Sequence, residues 1–539
     1  MIDAVATTRA VAGPATKRDT TRDGLRNRIE VGLLTGLRPF WAFVNARPWL
    51  ARFFNRLIVN NAVLKVPARP LALSTMTTYT SWPNLTDKTW FSRYLPPVRQ
   101  DGLPPIDEVA SLFKLRPERA PRESDRSTLL FPAFAQWFTD GFLMTDPDRR
   151  RTRTAHQIDL CQVYGLDRAV TTALRRNSQL AGEKGKLKSV KTPTGEWAPR
   201  LYDEAGNRHP DFVLLPQPVN LPANLPFERK ETIFAFGGER ANTTVLNAAL
   251  TTLFLREHNR LCTVLESSNS SWDDERVFQT ARNINVAQLI KVVVEEYINH
   301  ISPYWFRLLA DPKLCYKAIW NRENWIPVEF NLLYRWHSLV PEVASWGGAI
   351  VQLKDLRYNN RPLVDDGLVA AFENASRSKA WRIGLFNTAS MLDVVERASI
   401  QQGRDNHLAR YNEYRAVMKY PKITRFEQLS GDPLVVAELR RIYGDVDNLE
   451  YFVGLFAEDL SPRAAVPPLI GRMVAADAFS HALTNPLLSP HVFNEATFTA
   501  EGMRCIERTS ALRDILARND SLPDEAFVSM DQKGYDSLA

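Results

Sequence analysis

Three stretches predict a mainly α-helical fold. "TTVLNAALTTLFLREHNRLCTVLE" (243–266) and "ERVFQTARNINVAQLIKVVVEEYINHI" (275–301) are long segments with apolar residues at helical spacing. "FPAFAQWFTDGF" (131–142) puts Phe131, Phe134, Phe138 and Phe142 on one helical face. Gln136 and Asp140 share another face of the same helix. A carboxylate beside an amide is out of place in so aromatic a segment. The 539 residues are 45% hydrophobic and 10% aromatic, enough for a substantial core.

The remaining elements follow in chain order. Residues 1–24 are polar and mixed in charge and read as a flexible arm, without the apolar stretch of a secretory signal. Residues 25–69 change character. Eight basic residues from Arg26 to Arg69, against the single acid Glu30, interleave with Phe40, Trp41, Phe43, Trp49, Phe53 and Phe54. Pro39, Pro48 and Pro67 divide the stretch into short helical pieces. Short, basic, aromatic-rich amphipathic helices meet the needs of an interfacial membrane anchor, with rings at the acyl boundary and Arg at the headgroups. Ordinary core-packing helices would carry the same pattern. Residues 71–125 are Pro- and Thr-rich and irregular, and helices dominate from 127 onward. Within them, "SVKTPTGEWAPRLYDEAGNRHPDFVLLP" (189–216) is turn-rich and suits a small hairpin.

Several functional classes lack support. A net charge of +7 is weak evidence for nucleic acid or an anionic membrane, and no nucleic-acid partner is expected. Cys161, Cys262, Cys315 and Cys505 are widely spaced, which argues against a disulfide scaffold or zinc site and suits a reducing compartment. No apolar run approaches the roughly 18–20 residues of a membrane span. The expected location is therefore cytoplasmic or peripheral to a membrane. No nucleotide loop, hydrolase elbow, metalloprotease helix or EF-hand loop is present.

None of the eight histidines precedes residue 156. His337 stands out in "EFNLLYRWHSLVPE" (329–342), where Tyr334 lies three residues before it. On one helix both would face the same cavity. Heme ligation and an ordinary buried core histidine both fit that pattern.

This segment resembles the proximal heme motif of the cyclooxygenases (prostaglandin-endoperoxide synthases). "LREHNRLC" (255–262), "HQIDLCQVYG" (156–165), "VEEYINHISPYWF" (294–306), "NEYR" (412–415) and "YGDVDNLEYFVGLFAE" (443–458) are also similar to segments of that family. "GLRPFWAFVNARPWLARFFNRLIV" resembles its membrane-binding helices. Together these cover most of residues 36–495. The Cys-rich epidermal-growth-factor-like module of the animal enzymes has no counterpart, as in a bacterial-type member.

The resemblance implies a mainly α-helical heme peroxidase/cyclooxygenase-like catalytic domain over 71–539, with amphipathic membrane-binding helices at 25–70. It implies heme b between the 131–145 and 330–340 helices, with His337 as the ligand of the iron. Tyr334 resembles the tyrosine whose radical takes hydrogen from a fatty acid, and Tyr297 the tyrosine that restrains it. Gln136 matches the distal-face Gln. Tyr304 falls in the substrate-channel segment, and Ser480, in "DAFSHAL", falls near the channel Ser that aspirin acetylates. A homodimer is implied only by the family.

Two departures matter. At the position where animal cyclooxygenases hold the substrate carboxylate with an Arg, this chain has Ala62. Lys65, Arg56 and Arg69 are nearby cations able to substitute or to meet lipid headgroups. Second, the family's distal Gln-x-x-x-His is here Gln136-x-x-x-Asp140. In the family that His shuttles a proton on bound peroxide. An Asp with an ordinary pKa near ~4 is a poor base at neutral pH, although burial raises it. "FGGERANTT" (236–244) looks more like a motif of animal peroxidases and linoleate dioxygenases, in which the Arg lies over the distal heme. Arg240 would then pair with Asp140 and keep it ionised; alternatively it bonds backbone at a helix start.

The resulting expectation is a heme-dependent dioxygenase that adds O₂ to a long-chain polyunsaturated fatty acid through a Tyr334 radical, with weak peroxidase turnover. The alternatives are a peroxidase of small reductants and a non-catalytic heme-binding relative.

Overall fold

In chain order the helices that frame the candidate site are α1 (Leu25–Gly36), α2 (Arg38–Asn45), α3 (Pro48–Leu64), α4 (Leu130–Phe142), α5 (Val245–Ser268), α6 (Asp274–Val292), α7 (Val328–Leu333), α8 (Asp393–Asp405), α9 (Tyr411–Val417) and α10 (Pro468–Ala482). The computed structural model describes residues 24–64 and 73–534, apart from the side chain of Arg26. Nearly all of the N-terminal arm, together with Lys65 and Arg69, lies outside the described residues. Strands among the described residues form three two-stranded antiparallel sheets. These pair β1 (Glu123–Thr128) with β6 (Lys379–Trp381), β2 (Val190–Thr192) with β3 (Gly195–Trp197), and β4 (Val343–Trp346) with β5 (Ala349–Gln352). The β2–β3 pair is the small hairpin of the turn-rich segment.

A helix buried on every side belongs at the centre of a fold. α5 is that helix: residues 245–259 are all buried. Thr244 caps it, its hydroxyl accepting from the Asn247 N–H at 3.1 Å. The charged residues of "REHN" are buried too, and each has partners, as burial demands. Arg256 pairs with Asp520 at 2.8 Å. Glu257 accepts from Arg260 and Gln288, at 2.8 and 2.9 Å. His258 Nδ1 and the Tyr164 hydroxyl lie 2.9 Å apart, which joins two of the motifs quoted above through one hydrogen bond.

α6 does not continue as a regular α-helix. It passes into a π turn over Val293–Ile298, then one more α turn, Asn299–Ile301. The wide turn is held at its end by Asn299. Its amide donates to the Leu308 carbonyl at 3.0 Å and its oxygen accepts the Leu308 N–H at 2.8 Å. π turns inside α-helices concentrate at functional positions, and this one carries Tyr297.

The expected helix over 330–340 is not formed. α7 stops at Leu333, and His337 opens a separate 3₁₀ turn, His337–Leu339. The Trp336 N–H folds back onto the Tyr334 carbonyl at 2.9 Å. Ser338 is drawn away by the Gly384 N–H, which donates to its hydroxyl at 3.1 Å. These bonds replace the helical ladder, so Tyr334 and His337 are placed by a bend rather than by one helix face.

At the N-terminus, α1–α3 pack one face inward and leave the other out. Trp41, Val44, Ala51, Val59 and Val63 are buried, while Ile29, Leu33, Phe43, Trp49, Phe53 and Leu57 are exposed. No described helix is long and apolar enough to cross a membrane.

Candidate active site

The Phe residues of α4 enclose a tyrosine. The Phe131, Phe134 and Phe138 rings lie 5.6, 5.2 and 6.2 Å from the Tyr297 ring. Tyr334 faces Tyr297 from the end of α7, between Phe330 and Trp336, each 4.9 Å away. Both phenol hydroxyls are buried, and neither completes a hydrogen bond in this arrangement. Burial pushes both phenols up from their ordinary pKa, and each is near the other. Asp477 on α10 adds to the rise at Tyr334 and accepts the hydroxyl of Tyr94. Tyr334 is therefore a neutral phenol at physiological pH, suited to giving a hydrogen atom rather than a proton.

Beside this pair opens a small cleft lined by Thr139, Asp140, Thr145, Arg240, Asn331 and Arg335, with Tyr334 also on its wall. The cleft brings the odd acid of α4 to the same space as Tyr334. Asp140 Oδ1 lies 3.8 Å from Arg240 Nε, and its Oδ2 accepts from Asn247 at 3.4 Å. Burial pushes the Asp140 carboxyl up from its ordinary value. Arg240, Arg335, Gln136 and Asn247 pull it down without cancelling that rise. Arg240 thus faces Asp140 only loosely, and it also faces Glu239 at 3.7 Å. Gln136 shares Asp140's face as expected, at the exposed edge of α4.

His337 Nδ1 lies 3.2 Å from Glu396 Oε1 on α8, an ion-pair distance, though off the line of a formed hydrogen bond. Glu396 is fixed by the Thr388 hydroxyl at 3.0 Å. A carboxylate at Nδ1 fixes the tautomer that leaves Nε2 as a ligand. The His337 side chain is 19% exposed, so Nε2 is not sealed in the core. Around it Arg335 Nε, Trp336 Nε1 and Glu396 Oε2 are buried without hydrogen-bond partners. An imidazole with a carboxylate near Nδ1 and a partly exposed Nε2 has the donor chemistry for a heme iron, and His337 is the residue that would hold it.

Two residues of this site were not read from sequence. Arg335 stands inside the quoted motif, between Tyr334 and His337. It donates to Asn331 at 2.8 Å and to Thr145 at 3.2 Å. Burial and the neighbouring Arg240 push it down to about 10, against the pull of Asp140. Glu396 carried no local signal, because it reaches His337 only through tertiary packing.

Ser480 is buried, with its hydroxyl spent on the Asp477 carbonyl of its own helix at 2.8 Å. Arg56 donates to the carbonyls of Lys313 and Leu314 at 3.1 and 3.2 Å. Tyr304 lies near Arg472, Tyr420 and Glu30, and burial raises it to about 12. Lys65 lies outside the described residues.

The site therefore combines a buried tyrosine pair, an adjacent polar cleft and a histidine beside a carboxylate in a mainly helical fold. The animal haem peroxidase model matches residues 139–528, and the chain belongs to that family. It is 30% identical to prostaglandin G/H synthase 2 of Equus caballus over 93% of this chain and 82% of that one. It is 31% identical to prostaglandin G/H synthase 1 of Rattus norvegicus over 94% and 83%. Among solved structures, the fatty acid alpha-dioxygenase of Oryza sativa superposes with a TM-score of 0.67 at 18% identity, covering 92% of this chain and 96% of that one. Peroxidase A of Dictyostelium discoideum superposes with 0.64 at 18%, covering 85% and 99%. These two share the fold.

If His337 holds heme iron, reconstituted protein will show a Soret band that His337→Ala loses. Glu396→Gln will keep the band but weaken heme affinity by about 10–100-fold. An undiminished band in His337→Ala would place the ligand elsewhere.

Proposed function

We propose that the protein is a fatty-acid dioxygenase that works through a Tyr334 radical and has weak peroxidase activity. The observation that supports this most strongly is the buried tyrosine pair beside the polar cleft, with His337 three residues after Tyr334. Bound heme would supply the one-electron oxidant for the phenol. Tyr334 then takes a bis-allylic hydrogen atom from the substrate, restoring its O–H and leaving a carbon radical. O₂ adds to that carbon, and Tyr334 returns its hydrogen atom to the peroxyl oxygen, giving a hydroperoxide and the Tyr334 radical again. Tyr297 lies close enough to limit where the phenol turns. The surrounding Phe and Trp rings offer few groups for the radical to attack and keep water out. A related alpha-dioxygenase structure contains palmitic acid, which supports an acyl substrate in this fold.

Asp140 has the role of proton acceptor at the open face of the cleft. Only its ionised form accepts, and its raised pKa moves that form to higher pH than for an ordinary carboxylate. The exposed side of α1–α3 is the surface that would meet a membrane. Its aromatic and aliphatic side chains form the kind of patch that marks an interaction surface.

Three measurements test this reading. Oxygen uptake with linoleate, primed with peroxide, will appear with heme-loaded protein and fall to background in Tyr334→Phe. Uptake that survives Tyr334→Phe, or none in the wild type with any C18–C20 polyene, sinks the dioxygenase. Guaiacol oxidation will be slow and will rise with pH through a midpoint above the ordinary carboxyl range of ~4. Asp140→Asn will flatten that rise and Asp140→His will speed turnover by about 10²-fold; an unchanged pH profile in Asp140→Asn would remove Asp140 from the chemistry. Full-length protein will co-sediment with anionic vesicles, and replacing Trp49 and Phe53 by Ser will abolish that. Equal sedimentation of the variant would assign the patch another partner.

A further inference from the structure

A second cleft opens between the segment 176–190 and the loop 199–212. Its walls carry Arg176, Lys188 and Arg200 against a single acid, Asp211, with Tyr202 and Phe212 as aromatic surface. The tyrosine pair, the polar cleft and the outer face of α1–α3 use none of these residues. Backbone pairing places the key cation. The Leu201 N–H donates to the Ile233 carbonyl and the Ala235 N–H to the Pro199 carbonyl, each at 2.8 Å. Side chains alternate along such a paired stretch, so Leu201 enters the core while Arg200 and Tyr202 share the opposite face. The three cations differ in how they are satisfied. Arg176 is held by Glu183, and Lys188 by Asp211 at 3.1 Å. Arg200 pairs with no acid among the described residues. Its Nη1 donates to the Thr232 carbonyl at 3.0 Å and its guanidinium carbon lies 4.7 Å from the Phe234 ring, while Nε and Nη2 meet no acceptor among the described residues. Burial, and after it Arg361, pushes its pKa down against the pull of Glu231, so its charge is incompletely compensated. His209, also on the cleft wall, accepts the Asp211 N–H at Nδ1, 3.2 Å away. The ring hydrogen of the neutral form is therefore on Nε2, and no acceptor among the described residues takes it.

We propose that this cleft binds a phosphate monoester carried on an apolar body, with Arg200 as the anchor of the phosphate. Nε and Nη2 form the edge of the guanidinium that takes up two oxygens of an oxyanion side by side. A carboxylate is used up by that fork. A phosphate monoester keeps a third terminal oxygen and a second negative charge for Lys188 and the His209 N–H. Asp211 does not stand in the way, because its side chain is 55% exposed and an ion pair so open to water contributes little. Val190, Pro199 and the rings of Tyr202 and Phe212 supply apolar surface beside the cations, which suits an organic phosphate better than the bare inorganic ion. The site stands apart from the fatty-acid reading and does not depend on it.

The test is titration calorimetry on full-length, heme-loaded protein with phenyl phosphate as the probe, beside inorganic phosphate, benzoate and benzyl alcohol. Phenyl phosphate is expected to bind at one site per chain, and the other three more weakly, benzyl alcohol least of all. Arg200→Gln should weaken phenyl phosphate by about tenfold or more, and Arg200→Lys by less. Lys188→Gln should weaken it by a few-fold and make binding less sensitive to salt. That second variant alters a partly exposed side chain and keeps the test open if Arg200→Gln fails to fold. Wild-type protein that does not bind phenyl phosphate overturns the site. So does equal binding by wild type and either Gln variant, or benzoate, benzyl alcohol or inorganic phosphate binding as tightly as phenyl phosphate.

Discussion

Exclusion of water from one phenol is the constraint around which the rest of this structure is arranged. A tyrosine can exchange a hydrogen atom with a substrate only if it stays neutral and is not quenched by solvent. Tyr334 meets both conditions because its hydroxyl is buried beside that of Tyr297 and its ring sits between Phe330 and Trp336. The Phe ladder of α4 provides the walls around Tyr297, so that helix serves two purposes. Its aromatic face dries the tyrosine pair, and its polar face presents Asp140 to the cleft. The carboxylate in "FPAFAQWFTDGF" is thus at the boundary between the dry and polar halves of the site.

The polar half is balanced differently from a histidine-based site. Asp140 is surrounded by Arg240, Arg335, Asn247 and Gln136, yet burial outweighs them. Burial, and after it the repulsion of Arg240 in the same small cleft, lowers Arg335. In the proposed reaction this arrangement makes Asp140 a better proton acceptor than a solvated Asp but a poorer one than a neutral imidazole. The tyrosine chemistry, once started, regenerates its own radical in each cycle and does not require rapid peroxide turnover.

Much of the site was legible in the sequence, and the failures share one cause. Tyr334 and His337 were found because they sit three residues apart in a distinctive aromatic segment, and Asp140 because it breaks the pattern of its helix. The helical class followed from apolar periodicity in α5 and α6. What periodicity cannot show is a departure held in place by distant contacts. The bend after α7 depends on the Gly384 N–H reaching Ser338, and the π turn depends on Asn299 bridging to Leu308. Glu396 reaches His337 only after remote segments pack. Ser480, which falls near the channel Ser by its position in sequence, donates its hydroxyl back to the Asp477 carbonyl of α10.

The most direct test of the account is electron paramagnetic resonance of heme-loaded protein treated with peroxide and then with linoleate in the absence of O₂. The account predicts a tyrosyl signal that converts to a pentadienyl radical on adding linoleate, with both signals missing in Tyr334→Phe. A tyrosyl signal that persists unchanged in Tyr334→Phe, or one that linoleate does not convert, would contradict it.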